Sequence, residues 1–151
     1  TKTDNTIWND TTPTSTVFSL GTDASVNADG GTYIAYLFAS VKGFSNIGSY
    51  TGNGNADGTF IFTGLKTRYV LIKDTGATNS WCIYDKARDT YNVADALLQA
   101  QDSSAEATYG GIDFLSNGFK IRSTVQALNS SGSVYIYAAF GDSPFKYANA
   151  H

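Results

Sequence analysis

The chain has 151 residues, a formal net charge of −3 and charged side chains at only 15% of positions, which fits one domain with an unusually uncharged surface. Lys and Arg do not cluster, no apolar run approaches the roughly 20 residues of a transmembrane helix, and Cys82 is the single cysteine. These features exclude a nucleic-acid footprint, membrane insertion by a helix and an internal disulfide.

Short segments rich in Val, Ile, Phe, Tyr and Thr alternate with Gly, Asn, Asp and Ser along the whole chain. This pattern predicts strands joined by turns, as in an all-β antiparallel sandwich. In chain order the predicted strands are Thr16–Leu20, Thr32–Ser40, Ile47–Thr51, Thr59–Thr63, Arg68–Asp74, Ser80–Tyr84, Ile112–Leu115, Gly118–Ser123 and Ser133–Phe140. The polar residues 1–14 are predicted to be extended.

One short helix is predicted over Val93–Gln99. Asn92 precedes it as a capping residue, and Asp95 lies three positions further on, as in a capping box. The apolar residues that fall on one helical face are Val93, Ala96, Leu97 and Ala100. The polar residues 101–107 that follow are predicted to form a surface loop.

A repeat spans most of the chain: residues 27–38 return as residues 129–140 at a constant offset of 102 (129 minus 27). The identical pairs are Asn27/Asn129, Gly30/Gly132, Tyr33/Tyr135, Ile34/Ile136 and Phe38/Phe140. Self-similarity at a fixed period indicates an array of similar units. We therefore predict that residues 1–42 are the last strands of a preceding copy and that residues 43–151 form a complete C-terminal β-sandwich domain, with both copies of the repeat forming strands.

The second copy of the repeat is apolar on both faces. Val134, Ile136 and Phe140 lie on one side of the predicted strand, and Tyr135 and Tyr137 lie on the other. A strand of this kind is covered on both sides, by a helix, a loop or a neighbouring subunit. The predicted core residues are Phe62, Val70, Ile72, Ile83, Phe119, Ile136 and Phe140, and a subunit contact is predicted at or near Tyr135 or Tyr137.

Six separated motifs resemble a repeat domain of tail-fibre and related adhesion proteins of marine bacteriophages. They are Trp8–Gly21, Tyr33–Ala39, Gly43–Gly54, Trp81–Asn92, Asp113–Lys120 and Ala138–Lys146. Residues 145–151 also resemble the natural C-terminus of such proteins. The resemblance implies a concanavalin-like jelly-roll sandwich near the end of a virion fibre, an extracellular location and a homo-oligomer, most simply a trimer. It implies no catalytic residues.

The segment Tyr50–Gly58 is one predicted binding loop. Asn53 and Asp57 alternate with small residues as in the first half of a calcium loop, but the twelfth position is Gly64 instead of Glu. A turn built from Asn, Asp and Gly explains the same residues, so no cofactor is predicted, and calcium is the less favoured alternative. Tyr50 at the start of the loop is predicted to contact a ligand.

The segment Asn79–Tyr91 is the second predicted binding loop. Asp85, Arg88 and Asp89 form either a polar pocket for a sugar or an ion pair that fixes the turn, and the second reading is favoured. In the pocket reading the aromatic side chains that stack on the sugar are those of Trp81, Tyr84 and Tyr91.

Catalysis is not predicted. Glu106 is the only glutamate, and no spacing marks an acid/base pair of carboxylates. His151 is the only histidine, which excludes a Ser-His-Asp triad inside one chain. We predict a non-enzymatic virion adhesin that binds a host surface glycan or protein; a purely structural virion component and a polysaccharide-degrading enzyme are the alternatives.

Overall fold

The computed structural model describes residues 5–142, and these divide into two compact units, one ending at Leu37 and one beginning at Phe38. The helices are short: α1 (Asn5–Trp8), α2 (Ala24–Asn27) and α3 (Gln126–Asn129). The strands are β1 (Ser45–Thr51), β2 (Phe60–Phe62), β3 (Thr67–Asp74), β4 (Cys82–Asp85), β5 (Ala94–Gln99), β6 (Ala107–Leu115), β7 (Gly118–Ile121) and β8 (Val134–Gly141). The residues predicted to form the C-terminal motif, 145–151 including His151, lie outside the described part.

All eight strands belong to the second unit and form one antiparallel sheet in the order β1-β8-β3-β4-β5-β6-β7-β2. Strands β3 to β7 pair in chain order as a meander, and β8 returns to pair with both β1 and β3. The sheet curls until its two halves face each other and is nearly closed. The all-β antiparallel prediction is confirmed in this sandwich-like arrangement; the jelly-roll assignment stays a prediction.

The core lies between the two halves of the sheet and is rich in aromatic rings. Tyr50 of β1 stacks on Tyr135 of β8 with ring centroids 5.0 Å apart, and Phe119 of β7 meets Tyr137 edge-on at 5.3 Å. Such offset and T-shaped pairs contribute beyond their buried area. Because these four rings come from β1, β7 and β8, their contacts connect the two ends of the sheet.

The core prediction is confirmed for Val70, Ile72 and Phe119, which are fully buried. It is wrong for Phe62 and Ile136, which are 67% and 42% exposed, and the half-buried Ile83 and Phe140 lie at the margin. On β8 the tyrosine face points into the core and the aliphatic face points out. Tyr135 and Tyr137 are therefore core residues, and the subunit contact predicted at or near them stays a prediction.

The helix predicted at Val93–Gln99 is wrong, because Ala94–Gln99 forms strand β5. The pairing of β5 with β6 shifts between Ala94 and Ala96, where one β5 residue lies opposite residues 109–111 of β6, so β6 carries the bulge. The buried residues of β5, Ala94 and Leu97, lie three apart within extended backbone, which is a helical spacing. The predicted cap also acts on a strand: the Asn92 side chain exchanges two hydrogen bonds of 3.0 Å with the backbone of Phe114.

Other boundaries differ from the predictions at the ends of the sheet. No strand forms at Thr16–Leu20 or Thr32–Ser40, and β6 begins at Ala107, at the end of the predicted loop. The remaining six predicted strands are present to within a few residues. Within residues 5–142, none of the helices has the length and apolar character needed to cross a membrane.

Candidate functional site

A cleft of about 360 Å³ opens beside the loop that joins β3 to β4. Its walls come from that loop, from β5, from the start of β6 and from α3. The lining residues are Thr78, Asn79, Ser80, Cys82, Leu97, Gln99, Ala107, Tyr109 and Ala127. Among residues 5–142, no charged side chain lines this cleft, which we call the amide cleft.

The polar lining of the amide cleft is held in place by hydrogen bonds. Ser80 Oγ and Gln101 Nε2 donate to the Gln99 side-chain oxygen at 2.9 and 2.7 Å. Asn79 Nδ2 donates to the buried carboxylate of Asp74 at 2.9 Å, and the same carboxylate accepts from the Gly76 amide at 2.8 Å. Hydrogen bonds to the Asp74 carboxylate and to the Gln99 side chain therefore fix the loop between β3 and β4.

Several polar groups of the cleft have no protein partner within residues 5–142: the Gln99 amide nitrogen, the Thr78 hydroxyl and the Tyr109 hydroxyl. Tyr109 is 41% exposed, so its ring forms part of the rim. The cleft thus offers amide and hydroxyl groups next to one aromatic face. This is the chemistry that recognises an uncharged, polyhydroxylated ligand.

The aromatic residues predicted to bind a ligand separate into two groups. Trp81 and Tyr91 are on the surface, at 38% and 84% exposure. Tyr84 and Tyr50 are in the core, where their hydroxyls donate to the carbonyls of Tyr109 at 2.6 Å and of Leu128 at 2.7 Å. Burial raises the pKa of both phenols well above the ordinary range, and neither ring has a face for a ligand.

The structure brings Asp85 and Arg88 together as an ion pair of 2.5 Å and adds Glu106 at 2.7 Å from the guanidinium. Arg88 also donates to the carbonyls of Ala96 and Ile83. Burial alone would raise the pKa of the Asp85 carboxyl, but hydrogen bonds from the Arg88 side chain and backbone lower it overall. With its fork occupied on all sides, Arg88 fixes the turn between β4 and β5.

Asp89 completes the same turn. Its carboxylate accepts from the backbone amides of Asp95 and Ala96, both at 2.7 Å. Two β5 amides at the register shift with β6, where the ladder is interrupted, are satisfied in this way. The favoured structural reading of Asp85, Arg88 and Asp89 therefore agrees with their contacts.

The loop at residues 52–58 is an Asn-rich turn whose oxygens face its own backbone. Asn53 Oδ1 accepts from the Asn55 amide and Asn55 Oδ1 accepts from the Asp57 amide, each at 3.0 Å. Asp57 pairs with Lys120 at 2.6 Å and with Arg122 at 3.0 Å, and the hydrogen bond from Lys120 lowers the pKa of its carboxyl. These contacts explain the calcium-like spacing as turn chemistry.

The buried side chain of Asn129 connects this loop to α3. Its amide nitrogen donates to Asn53 Oδ1, the Asn55 carbonyl and the Ser123 carbonyl at 2.8–3.0 Å, and its oxygen accepts from the Asn53 amide at 2.9 Å. Gly58 lies against it: a Cβ there would meet the Ile121 carbonyl at 2.6 Å. Asn53 and Asp57 thus belong to a structural loop remote in sequence from the cleft residues.

The residues that form the amide cleft were only partly predicted. Asn79 and Ser80 lie in a predicted binding loop, but Thr78, Gln99 and Tyr109 were missed. Gln99 was assigned to a helix and Tyr109 to the region just after a surface loop, so neither was placed beside residue 80. The available signal was the run of three polar residues, Thr78, Asn79 and Ser80, shortly before a strand.

The chain belongs to the family described as domain of unknown function DUF7483, whose family model matches residues 1–144. Neither the curated proteins nor the solved structures include a significant match to the sequence. The family match covers both units of the chain.

Proposed function

We propose that this domain is a non-enzymatic adhesin module of a virion fibre that binds a host cell-surface glycan in the amide cleft. The observation that carries the proposal is the lining of the cleft, which is uncharged and combines amides and hydroxyls with the exposed face of Tyr109. Sugars present hydroxyl groups and apolar ring faces, and such groups match this lining.

Preorganisation supports the choice of this cleft. The carbonyl oxygen of the Gln99 side chain already accepts two hydrogen bonds, from Ser80 and Gln101, which fixes the amide plane before a ligand arrives. Little side-chain entropy is then lost on binding, and this favours affinity at a small site. The amide nitrogen of Gln99 is the group that we expect to donate to a sugar hydroxyl.

Placement in an extracellular virion fibre is supported by the six motifs given above and by the 102-residue repeat, which is typical of modular rods. We propose a homo-oligomer, most simply a trimer, as closed symmetry allows one face to serve in every subunit. The outward face of β8 is the proposed contact, since Val134 and Ile136 are 46% and 42% exposed there. Other virion proteins would be the remaining partners.

Binding is tested with an array of bacterial surface glycans and isothermal titration of the strongest hit. Tyr109→Ala removes the aromatic rim, and Gln99→Ala removes the free amide. Each is expected to weaken binding about 5- to 12-fold, since one hydrogen bond or stacking contact is worth about 1–1.5 kcal/mol. Tyr91→Ala is the matched control because Tyr91 is exposed outside the cleft. Wild-type affinity in both cleft variants would contradict the proposal.

A purely structural role in the virion is the second candidate, and one observation favours it. The short edge strand β2 presents Phe60 and Phe62 at 45% and 67% exposure, and exposed aromatic groups on an unpaired edge indicate a protein contact. Light scattering distinguishes the candidates: defined symmetric assembly without any glycan signal would favour the structural role.

A further inference from the structure

The turn before Tyr33 repeats the turn before Tyr135 bond for bond. Tyr33 Oη donates to the Ala24 carbonyl at 2.6 Å and accepts from the Ala28 amide at 2.8 Å. Tyr135 Oη makes the same two bonds, to Gln126 and from Ser130, at the same two distances. Ala24 and Ala28 lie 102 positions before their counterparts Gln126 and Ser130.

The correspondence extends through both short helices, α2 and α3. Asn27 Nδ2 donates to the Gly21 carbonyl at 2.9 Å, and Asn129 Nδ2 donates to the Ser123 carbonyl at 2.9 Å. Three backbone hydrogen bonds of the helix and turn also recur at the 102-residue offset. In the first copy the amides of Val26 and Asn27 donate to the Asp23 carbonyl, and the Gly31 amide donates to the Ala28 carbonyl. In the second copy the amides of Leu128 and Asn129 donate to the Val125 carbonyl, and the Ser133 amide donates to the Ser130 carbonyl. The sequence identities at Asn, Gly and Tyr therefore preserve one local structure.

Glycine is required at the same point of both turns. Gly30 has φ +70° and Gly132 has φ +78°, a left-handed conformation that is favourable only without a Cβ. The added Cβ would meet no atom within 4 Å at either position. Backbone conformation, and not packing, thus accounts for the Gly30/Gly132 identity.

The two copies differ after the turn. Residues from Val134 enter β8, which pairs with β1 on one edge and β3 on the other. Residues 32–39 form no strand, and within the described part of the chain their amides donate no hydrogen bond. Asn27 likewise lacks the bonds to a 53–55 loop that Asn129 makes.

We propose that residues 21–39 are the C-terminal turn and strand of a preceding copy of this domain, and that residues 32–39 insert between the β1-like and β3-like strands of that copy. The inward positions are Tyr33, Ala35 and Leu37, which correspond to Tyr135, Tyr137 and Ala139. Leu37 is larger than its counterpart Ala139, and Ala35 is smaller than its counterpart Tyr137. The total side-chain volume of the inward face is therefore similar in the two copies.

The partner is a copy in the same polypeptide. Within one intact domain the position between β1 and β3 is already filled by β8, so another intact domain has no vacancy for residues 32–39. Two of the proposed inward side chains lack cover in the present chain, since Tyr33 and Leu37 are 44% and 76% exposed. Only residues 40–44 separate the inserted strand from β1, a span of at most about 18 Å, so successive copies would follow each other closely.

The test joins a second copy of residues 43–122 directly to Gly21, so that residues 21–39 can complete it. Amide hydrogen exchange of residues 32–39, followed by mass spectrometry, is expected to slow by about 100-fold or more relative to the original chain, because ladder amides exchange only on opening. A second variant adds Ala35→Tyr and Leu37→Ala, which reproduces the inward face of β8 if the original pair packs poorly.

The control introduces Asn27→Ala and Tyr33→Ala into the joined chain, and these changes are expected to restore fast exchange in residues 32–39 while β8 stays protected. Fast exchange of residues 32–39 in both joined variants, with β8 protected, would overturn the proposal. Slow exchange in the original chain that appears together with dimers would also overturn it, since the partner would then be a second chain.

Discussion

Substitution of Asn129 is expected to destabilise the C-terminal unit severely, although the side chain is small and polar. Asn129 is fully buried and makes four side-chain hydrogen bonds: to Asn53 Oδ1, to the carbonyls of Asn55 and Ser123, and from the Asn53 amide. These bonds connect the 52–58 loop to α3, and through them the ends of β1 and β2 to β8. Asn129→Ala removes every one of them.

The expected cost follows from the bonds and from the partners that are left behind. The two amide hydrogens are shared among three acceptors, so these contacts count as three hydrogen bonds, and at about 0.5–1.5 kcal/mol each they give about 1.5–4.5 kcal/mol. After the substitution, the polar groups of Asn53 and Asn55 in the loop can bond to water, which lowers the cost. The Ser123 carbonyl stays enclosed without a partner, which raises the cost. We expect a loss of about 3 kcal/mol in the free energy of unfolding, or about 10 °C in Tm for a unit of this size.

The measurement is urea unfolding followed by the fluorescence of Trp81 and by far-ultraviolet circular dichroism. Asn129→Asp retains the shape and the acceptor but loses the three donated bonds, so it is expected to cost nearly as much as Asn129→Ala. Asn27→Ala is the matched control, because Asn27 makes one of the equivalent bonds and none to the loop. A loss below about 1 kcal/mol for Asn129→Ala would refute this reasoning.

Phe119→Ala is expected to cost about 3–5 kcal/mol in the free energy of unfolding, because the ring is fully buried against Tyr50 and Tyr137; Phe62→Ala, at a 67% exposed position, should cost less than about 1 kcal/mol in the same urea titration. Arg88→Ala should cost about 2 kcal/mol through the bonds that it leaves unmade, and Arg88→Lys should recover little of this because an ammonium lacks the planar fork; equal midpoints for wild type and Arg88→Ala would contradict the assigned role. Burial raises the pKa of the Cys82 thiol from 9.0 to about 11. Between these pH values the thiol ionises in the unfolded chain but stays protonated in the folded one, so the free energy of unfolding falls as the pH rises from 9 to 11. Cys82→Ala is expected to flatten this fall, and the native thiol should resist a disulfide reagent at pH 8.

The fold class was predictable because strand signals are local. Alternating apolar residues and turn residues placed every strand except β5, although β6 begins earlier than predicted, and the turn chemistry at 129–132 marked the entry to β8. The inward face of β8 was not predictable, because both faces are apolar and the choice depends on rings from β1 and β7. Strand β5 was misassigned because its buried residues Ala94 and Leu97 have a helical spacing, and the irregular pairing with β6 beside them cannot be read from one segment alone.

The candidate site was less predictable than the fold. An aromatic residue near a strand can lie in the core or on the surface, and its type does not decide which. Tyr84 and Tyr91 are only seven positions apart along one hairpin, yet Tyr84 is buried and Tyr91 is exposed. The amide cleft joins residues 78–80 to residues 97–99 and 107–109, so it depends on the β4–β5–β6 pairing, which the helix prediction had removed. The Asp85–Arg88 pair was predictable because both residues belong to one turn.

The repeat shows how far a strand depends on its neighbours. The helix, the tyrosine bridge and the left-handed glycine form in both copies because each is closed by hydrogen bonds within some 15 residues. The following residues have similar sequences, yet only those beside β1 and β3 become a strand, since an extended segment gains its hydrogen bonds and burial from flanking strands. The sequence at 32–39 therefore specifies a strand that its own unit cannot complete, and the proposed preceding copy supplies the two edges that it lacks.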